Sequence, residues 1–530
     1  ADGVDVGIDW LEALYVEILE WALDWRMTAL AIMVLLLGIT VQLIPPLIGG
    51  ELMPPMDTGI TNVKFTVPAT HTLEDVETVL DRVEAIVQDY EGVKKVSSVV
   101  GSEAGAISFG TGGSTAQSVR LTVYLVNRKQ RAETIWDIQS RWRRAIKKIL
   151  DVQSVQVSEY GATPMASTRA PLDIMISGPD PKLLSRYANR VLQQLQGLPG
   201  LVDVRRTWYF DEREYDVSVD PSRARFYGTS TERVSQNLRA AIDGLAPTDM
   251  RLEDFLDIPI RVDYRSTDLD GPGATGDVYV DSRFGPIPLR TLATVESSRT
   301  RPSITRENLK NTINITGVNK TYTIAQVHSK AQKRLDSLDL PAGYSLDVGG
   351  TAQDMKDTQA RLMQALLIGV ILLYVLLFVM FQSFTDPLVV MSIIPFTVGA
   401  ALWGLLLFDK PLCMPANMGL IFVAGVVVNN SVLMLDFINR GVDRGLTKRK
   451  AILESLRVRI RPILMTTAST VVGLSPLVLE LAVGLERLSP LAIVASTGLL
   501  VGTFLTMVIV PVVYSLLDDT IQGLGNVFLE

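Results

Sequence analysis

Two neighbouring carboxamides, Asn429 and Asn430, sit inside an apolar run, GVVVNNSVLMLDFINR, from Gly425 to Arg440. The run opens near Asn417, so at ~1.5 Å of rise per residue Asn429 lies about 18 Å along a helix. That is near the middle of a hydrocarbon layer roughly 30 Å thick. Carboxamides at such depth are costly unless they face protein or water. They donate and accept hydrogen bonds but do not titrate. Two readings stand: helix-to-helix glue, or the wall of a hydrated track. Asp436 lies one heptad further on the face of Asn429, and Arg440 follows four residues later, the favourable order for an ion pair. Asp436 is therefore either an anchor or a relay member. A second stripe, Thr466, Ser469, Thr470 and Gly473, has the spacing of one helix face, with Arg459 and Arg461 before it. Small residues of this kind also serve close packing, and the arginines also serve as snorkelling cations. Gly498, Gly502 and Thr506 form a third small-residue face. A proton relay wants a carboxylate near the midplane, and these stripes supply none.

The elements that must position these residues are membrane helices. A first span is expected from Thr28 to Ile44, stopping at Pro45-Pro46. Further spans are expected at Leu362 to Phe381, Leu388 to Phe408, Gly419 to Ile438, Ile463 to Leu481 and Leu491 to Val513. The fold class expected is an α-helical membrane bundle of six spans plus an α+β extramembrane part. Arg440 to Arg461 carries eight Lys or Arg against Asp443 and Glu454, and reads as a cytoplasmic link. Counting outward from it puts both termini in the cytoplasm and the large polar region on the far side. Before the first span, residues 1–27 read as an amphipathic surface helix with Leu11, Leu14, Ile18 and Ala22 on one face.

The polar region repeats one unit, strand-helix-strand. Val63, Phe65 and Val67 alternate, Leu73 to Val87 follows helical spacing, and Val96 to Val100 alternates again. The unit returns at Val119 to Val157, at Leu172 to Val204 and at Thr312 to Val348. Paired, these units make two ferredoxin-like βαβ sandwiches, over 51–160 and over 161–207 with 310–350. The second is interrupted by an insertion, 208–309, rich in turn signals such as Asp270-Gly271-Pro272-Gly273. The membrane part follows over 361–518 and a tail over 519–530. Between the first two units lies a Gly-rich segment, GAISFGTGGS, with the apolar Phe109 beside Gly110 and Gly112. It lacks the GK[ST] and following helix of a phosphate loop, and a flexible connector is its plain reading.

Several functions are excluded on composition. A net charge of -7 offers no footprint for nucleic acid. One cysteine, Cys413, and two distant histidines, His71 and His328, give no disulfide, no metal cluster and no catalytic triad. No nucleophile-base pair or cofactor motif is present, so the chain reads as a non-enzyme without cofactors.

The motifs GVVVNNSVLMLDFINRG and RIRPILMTT resemble the tenth and eleventh membrane helices of the resistance-nodulation-division (RND) transporters. The order of one span, a large α+β region and five spans resembles the carboxyl-terminal half of that family. The resemblance covers nearly the whole chain. It implies a proton-driven exporter of hydrophobic or amphiphilic compounds in a bacterial inner membrane. It further implies a trimer, a periplasmic adaptor protein and an outer-membrane channel. The sandwiches become porter subdomains and the insertion a docking subdomain. Phe109, Gly110 and Gly112 become a loop on the substrate path. Asn429, Asn430, Arg459, Thr466 and Asp436 become the lining of the proton relay. The family's paired aspartates belong to an N-terminal half, expected as a separate subunit or as a further part of the same chain. Where many drug exporters carry a lysine, this sequence has Asn429. Two rivals remain: a non-transporting accessory protein for assembly or translocation, and a metal exporter. The second needs clustered soft ligands, and Met53, Met56, Met165, Met175 and Met250 are scattered.

Overall fold

The computed structural model describes residues 2–101, 116–159, 170–251, 257–262, 271–301 and 304–527. It falls into two compact units: Ala1–Thr66, Glu77–Thr207 and Thr305–Glu530 form one, Val67–Val76 and Trp208–Ile304 the other.

The chain opens with α1 (Asp2–Asp24) and α2 (Arg26–Ile48). On α1 the buried residues are Tyr15, Leu19, Ala22 and Leu23, packed with Met434, Ile438, Leu456 and Met507. Leu14 and Ile18, which share the expected apolar face with Ala22, are exposed. Apolar residues surround most of this helix, and the bundle takes the face carrying Tyr15, whose ring stacks on Phe504 at 5.6 Å. The helix is thus docked on the bundle along that face. The expected stop at Pro45-Pro46 is also corrected. Helix α2 runs through both prolines and ends at Gly49, whose φ of 65° lies in the left-handed region. Each proline forgoes its own N–H bond to the preceding turn, yet the helix continues past both, and the Gly49 N–H donates to the Pro45 carbonyl at 3.1 Å.

The first sheet comes from β1 (Ile60–Thr66), α3 (Leu73–Gln88), β2 (Val93–Val100), β3 (Ser118–Leu125), α4 (Ile135–Ile146) and β4 (Ser154–Glu159). The strand order is β2-β3-β1-β4, all neighbours antiparallel. Alternation along β1 buries Thr61, Val63 and Phe65, and along β3 Val119, Leu121 and Val123. Helix α4 adds Ile135, Ile138, Trp142 and Ile146, and it opens with a capping box between Thr134 and Asp137.

The second sheet begins with β5 (Leu172–Gly178), α5 (Pro181–Leu195) and β6 (Leu201–Arg206). The insertion follows with β7 (Glu212–Val219), α6 (Pro221–Phe226), α7 (Thr231–Asp243), β8 (Leu245–Arg251), β9 (Asp257–Val262), α8 (Gly271–Gly276), β10 (Tyr279–Val280), β11 (Ile287–Pro288) and β12 (Ala293–Thr300). Its core gathers Val234, Val280, Leu289, Leu292 and Ala293. The chain then returns through β13 (Arg306–Glu307), β14 (Lys310–Asn319), α9 (Ile324–Leu335) and β15 (Ser345–Gly349). Strand β14 lies between β6 and β5, with β15 beyond β5, so the order repeats that of the first sheet. Asp203 of β6 joins the two sheets. It accepts hydrogen bonds from Arg143 Nε at 2.7 Å and from the Val157 N–H at 3.2 Å.

Five helical stretches among the described residues are long and apolar enough to cross a membrane. They are α2, α10 (Thr351–Phe381), the pair α11 (Thr385–Met391) with α12 (Ile394–Leu407), α13 (Met414–Asp443), and α15 (Ser489–Val527) through Leu517. Helix α14 (Lys448–Val478) holds the sixth expected span but falls outside that set. The charges of its first half and the Thr and Ser of its second keep it below the required hydropathy. Its first half lies within the expected link between spans. Most of Arg440 to Arg461 is helical, because Ala451, Ile452, Leu456 and Ile460 supply a buried face.

Three joints connect the helices to the sheets. Helix α10 starts one residue after β15, at Gly350 with φ 93°, where a Cβ would meet three backbone atoms at 2.9–3.0 Å. Glu51, just beyond α2, accepts from the Ile324 N–H at 3.1 Å and from Asn319 at 2.9 Å. Lys129 donates to the Leu481 carbonyl at 2.7 Å, beside an ion pair of Arg128 with Glu486.

Candidate functional site

Helices α13 and α14 enclose a cleft of about 180 Å³. Val426, Asn429, Asn430 and Leu433 line it from α13, a spacing of three and four residues that puts them on one face. Arg459, Pro462, Ile463, Thr466, Thr467 and Thr470 line it from α14, again at helical spacing. Leu499 of α15 closes the floor. Asn430 is buried, whereas Asn429 and Thr466 are exposed, so one side of this polar cleft is open.

The hydroxyls of α14 are partly committed. Thr466 donates to the Ile463 carbonyl at 2.9 Å and Thr470 to the Thr466 carbonyl at 2.9 Å. Their lone pairs stay free to accept. Thr467 and Thr503 share a buried hydrogen bond of 3.0 Å that ties α14 to α15. Pro462 has no N–H to give the Val458 carbonyl, which leaves an acceptor beside Arg459.

Arg459 is the charged member. Its guanidinium carbon lies 5.4 Å from the centroid of the Phe437 ring. Its Nε is buried without a hydrogen-bond partner, and among the described residues it forms no ion pair. A half-buried cation lining one cleft with two carboxamides and several hydroxyl acceptors is arranged to meet an anion, and carboxylates make the strongest such partners.

This architecture has relatives. A family model described as the AcrB/AcrD/AcrF family matches residues 4–518. The chain belongs to that family of RND transporters. It is 25% identical over 517 residues to the swarming motility protein SwrC of Bacillus subtilis (strain 168), covering 96% of this chain and 47% of that protein. It is 29% identical over 358 residues to the cobalt-zinc-cadmium resistance protein CzcA of Cupriavidus metallidurans, covering 66% and 34%. It is 26% identical over 510 residues to the multidrug resistance protein MdtC of Erwinia tasmaniensis, covering 94% and 48%. A crystal structure of a heavy metal efflux pump superposes with a TM-score of 0.85 at 22% identity, covering 97% of this chain and 53% of that one. The chain therefore spans about half the length of the full-length relatives it matches.

Within this RND chain the other expected residues separate. Asp436 does not line the cleft; it pairs with Arg440 in the same helix. Gly498 and Gly502 do not line it either, which corrects the idea of a third lining face. A Cβ on Gly498 would come 2.9 Å from Val423, and one on Gly502 would come 2.3 Å from Thr397. They are sites of close helix packing. Phe109, Gly110 and Gly112 lie outside the described residues. Reading the sequence missed Val426, Leu433 and Pro462. Val426 and Leu433 were available as the residues one turn either side of the Asn pair.

Proposed function

We propose that this chain forms the carboxyl-terminal half of a proton-driven RND efflux transporter for hydrophobic or amphiphilic compounds. Asn429, Asn430, Arg459 and Thr466 form one wall of the proton relay. The titrating aspartates come from an N-terminal half, carried on a second subunit or elsewhere in one longer chain. Asp436 serves as an anchor at the helix end. Helix α14 is the sixth span. Both chain termini face the cytoplasm and the sheets face the periplasm. The two sheets with their helices are ferredoxin-like porter subdomains, and the insertion of 208–309 is the docking subdomain. The Gly-rich segment with Phe109, Gly110 and Gly112 borders the substrate path. The working assembly is a trimer with a periplasmic adaptor and an outer-membrane channel.

The observation that carries this reading is the buried Arg459 Nε without a partner, in a cleft whose other polar walls are neutral. When an aspartate facing Arg459 takes up a proton, the charge pair is lost and the packing of α13 against α14 changes. Helix α14 ends in the loop that binds Arg128 and Lys129, and α10 grows out of the second sheet. Both joints support passing that change to the porter subdomains. The test is efflux from cells lacking other exporters, with the complete transporter expressed. Arg459→Ala and Thr466→Val abolish efflux at normal protein levels on this account. Full efflux in both variants contradicts it.

A second reading, metal export, is favoured by the likeness to CzcA and to the heavy metal efflux pump. It predicts resistance to divalent cations in the same cells, with amphiphile tolerance unchanged.

A further inference from the structure

The first sheet has two faces of opposite character. One carries Val63, Phe65, Leu121 and Val157, all buried. The other carries the alternate positions, and none of these is an Asp or Glu, because Glu159 pairs with Thr61 on the buried face. One row across it reads Val99, Arg120, Lys64, Gln156 in strand order β2-β3-β1-β4. Lys64 and Arg120 are thus direct cross-strand partners. Like charges in that relation destabilise a sheet. Neither residue forms an ion pair or hydrogen bond with another described residue. Lys64 is half-buried, and burial first, then Arg120 and Arg205, pushes its ammonium down to about 8.

Two opposed cations without an acid are a poor choice for stability alone. They suit the capture of an oxyanion. The guanidinium of Arg120 offers a planar fork of donors, the ammonium of Lys64 a point charge, and the Gln156 amide further N–H groups. Val99, at the other end of the row, is an exposed apolar surface 52% accessible. A head group held between the cations leaves an attached tail against Val99.

We propose that Lys64 and Arg120 form an oxyanion-binding subsite, and that the compounds handled include amphiphiles with a carboxylate, phosphate or sulfate head group. Handling as transport rests on the efflux reading above; binding does not.

The test is equilibrium binding to the purified, complete transporter in nanodiscs of zwitterionic lipid, with empty discs subtracted. The probes are dodecanoate and dodecylammonium, which share a tail and differ in charge. The wild type binds dodecanoate roughly tenfold more tightly, the size of one charge-assisted contact. Lys64→Gln and Arg120→Gln each bring the ratio close to one, while the melting temperature stays level or rises because a like-charge pair is gone. Lys64→Arg keeps the preference. Equal binding of both probes by the wild type overturns the subsite, and so does a preference that survives both Gln variants. A melting temperature that falls in both, with the preference lost, also overturns it, since the cations then hold the fold or an acid of the completing half. Phosphatidylglycerol added to the discs separates two sources of the same chemistry. Competition by the lipid supports the subsite with a phosphodiester head as its occupant, and no competition supports it with a free amphiphile. Loss of the preference leaves the efflux reading intact. An intact preference without efflux of any compound overturns the efflux reading alone.

Discussion

Arg440 holds both carboxylate oxygens of Asp436, Nε to Oδ1 at 3.1 Å and Nη2 to Oδ2 at 2.8 Å. The pair joins residues four apart on α13, and it commits the Asp436 carboxylate outside the cleft lining. Exposed helix pairs of this order contribute ~0.3–0.5 kcal/mol. Asp436→Asn therefore keeps efflux near the wild-type level and lowers the melting temperature by very little. Loss of proton-coupled efflux in that variant, at normal protein levels, would return Asp436 to the relay.

The tie between the two sheets is of another kind. Asp203 is fully buried, takes Arg143 Nε at 2.7 Å and Lys147 Nζ at 3.2 Å, and sits at φ 55°. Removing one partner of a buried pair strands the other charge, at a cost of ~3–5 kcal/mol. Asp203→Ala also leaves in the left-handed region a residue with no side-chain oxygen to bond locally. A large drop in thermal stability is expected, measured by loss of monodisperse protein on heating. Arg143→Met, which removes a cation and leaves the carboxylate with Lys147 and the Val157 N–H, should cost less.

Glu51 makes stability depend on pH. Burial, the largest cause, raises its carboxyl from an ordinary 4.5 to about 7, against the opposing hydrogen bonds of Ile324 and Asn319; Glu159 adds a smaller upward push. A folded value above the unfolded one means that its contribution is fully present below pH 4.5 and is lost as pH rises through 7. Glu51→Gln keeps an oxygen acceptor for both donors and removes the charge. The variant should match the wild type at pH 4 and exceed it at pH 8, by about 3 kcal/mol from the size of the shift. Melting curves at the two pH values check this. A variant less stable than the wild type at pH 8 would refute it.

Glycines on α13 and α15 set how closely the helices approach. A Cβ on Gly419 would lie 2.9 Å from the Leu491 carbonyl oxygen, a backbone atom that cannot swing away. Gly419→Ala should therefore destabilise the bundle by ~1–3 kcal/mol, as overpacking does. Gly425 and Gly473 have open space beside them, and alanine there should be neutral in this half. A loss of efflux in Gly473→Ala with unchanged stability would mean that a further helix packs on that face.

Much of this was legible in the residues. The alternation of Val119, Leu121 and Val123 and the helical spacing of Leu184, Ala188 and Val191 each have one solution, and the structure has it. The Asn pair was legible from depth and face, whereas its grouping with Arg459 and Thr466 came from the family resemblance, and the structure places all four on one cleft. What failed has physical causes. Helix α1 is apolar around most of its circumference, so its sequence does not say which face the bundle takes. Prolines 45 and 46 looked like a stop, yet the helix runs three residues past Pro45 before Gly49 ends it, losing only the two N–H bonds that the prolines cannot make. Gly498 and Gly502 looked like a polar track because small residues serve close packing and water equally well; only the position of Val423 and Thr397 decides between them.

The central claim is that the carboxylates facing Arg459 come from outside the residues described. The most direct measurement is the composition of the transporter purified from its native membrane, by intact mass and peptide sequencing. The account predicts a second polypeptide, or a longer chain, with paired aspartates in a membrane helix. A cysteine placed at Asn429 should cross-link to that helix. An assembly made only of this chain, with no carboxylate within reach of Asn429, would contradict proton-driven export and leave the accessory reading in its place.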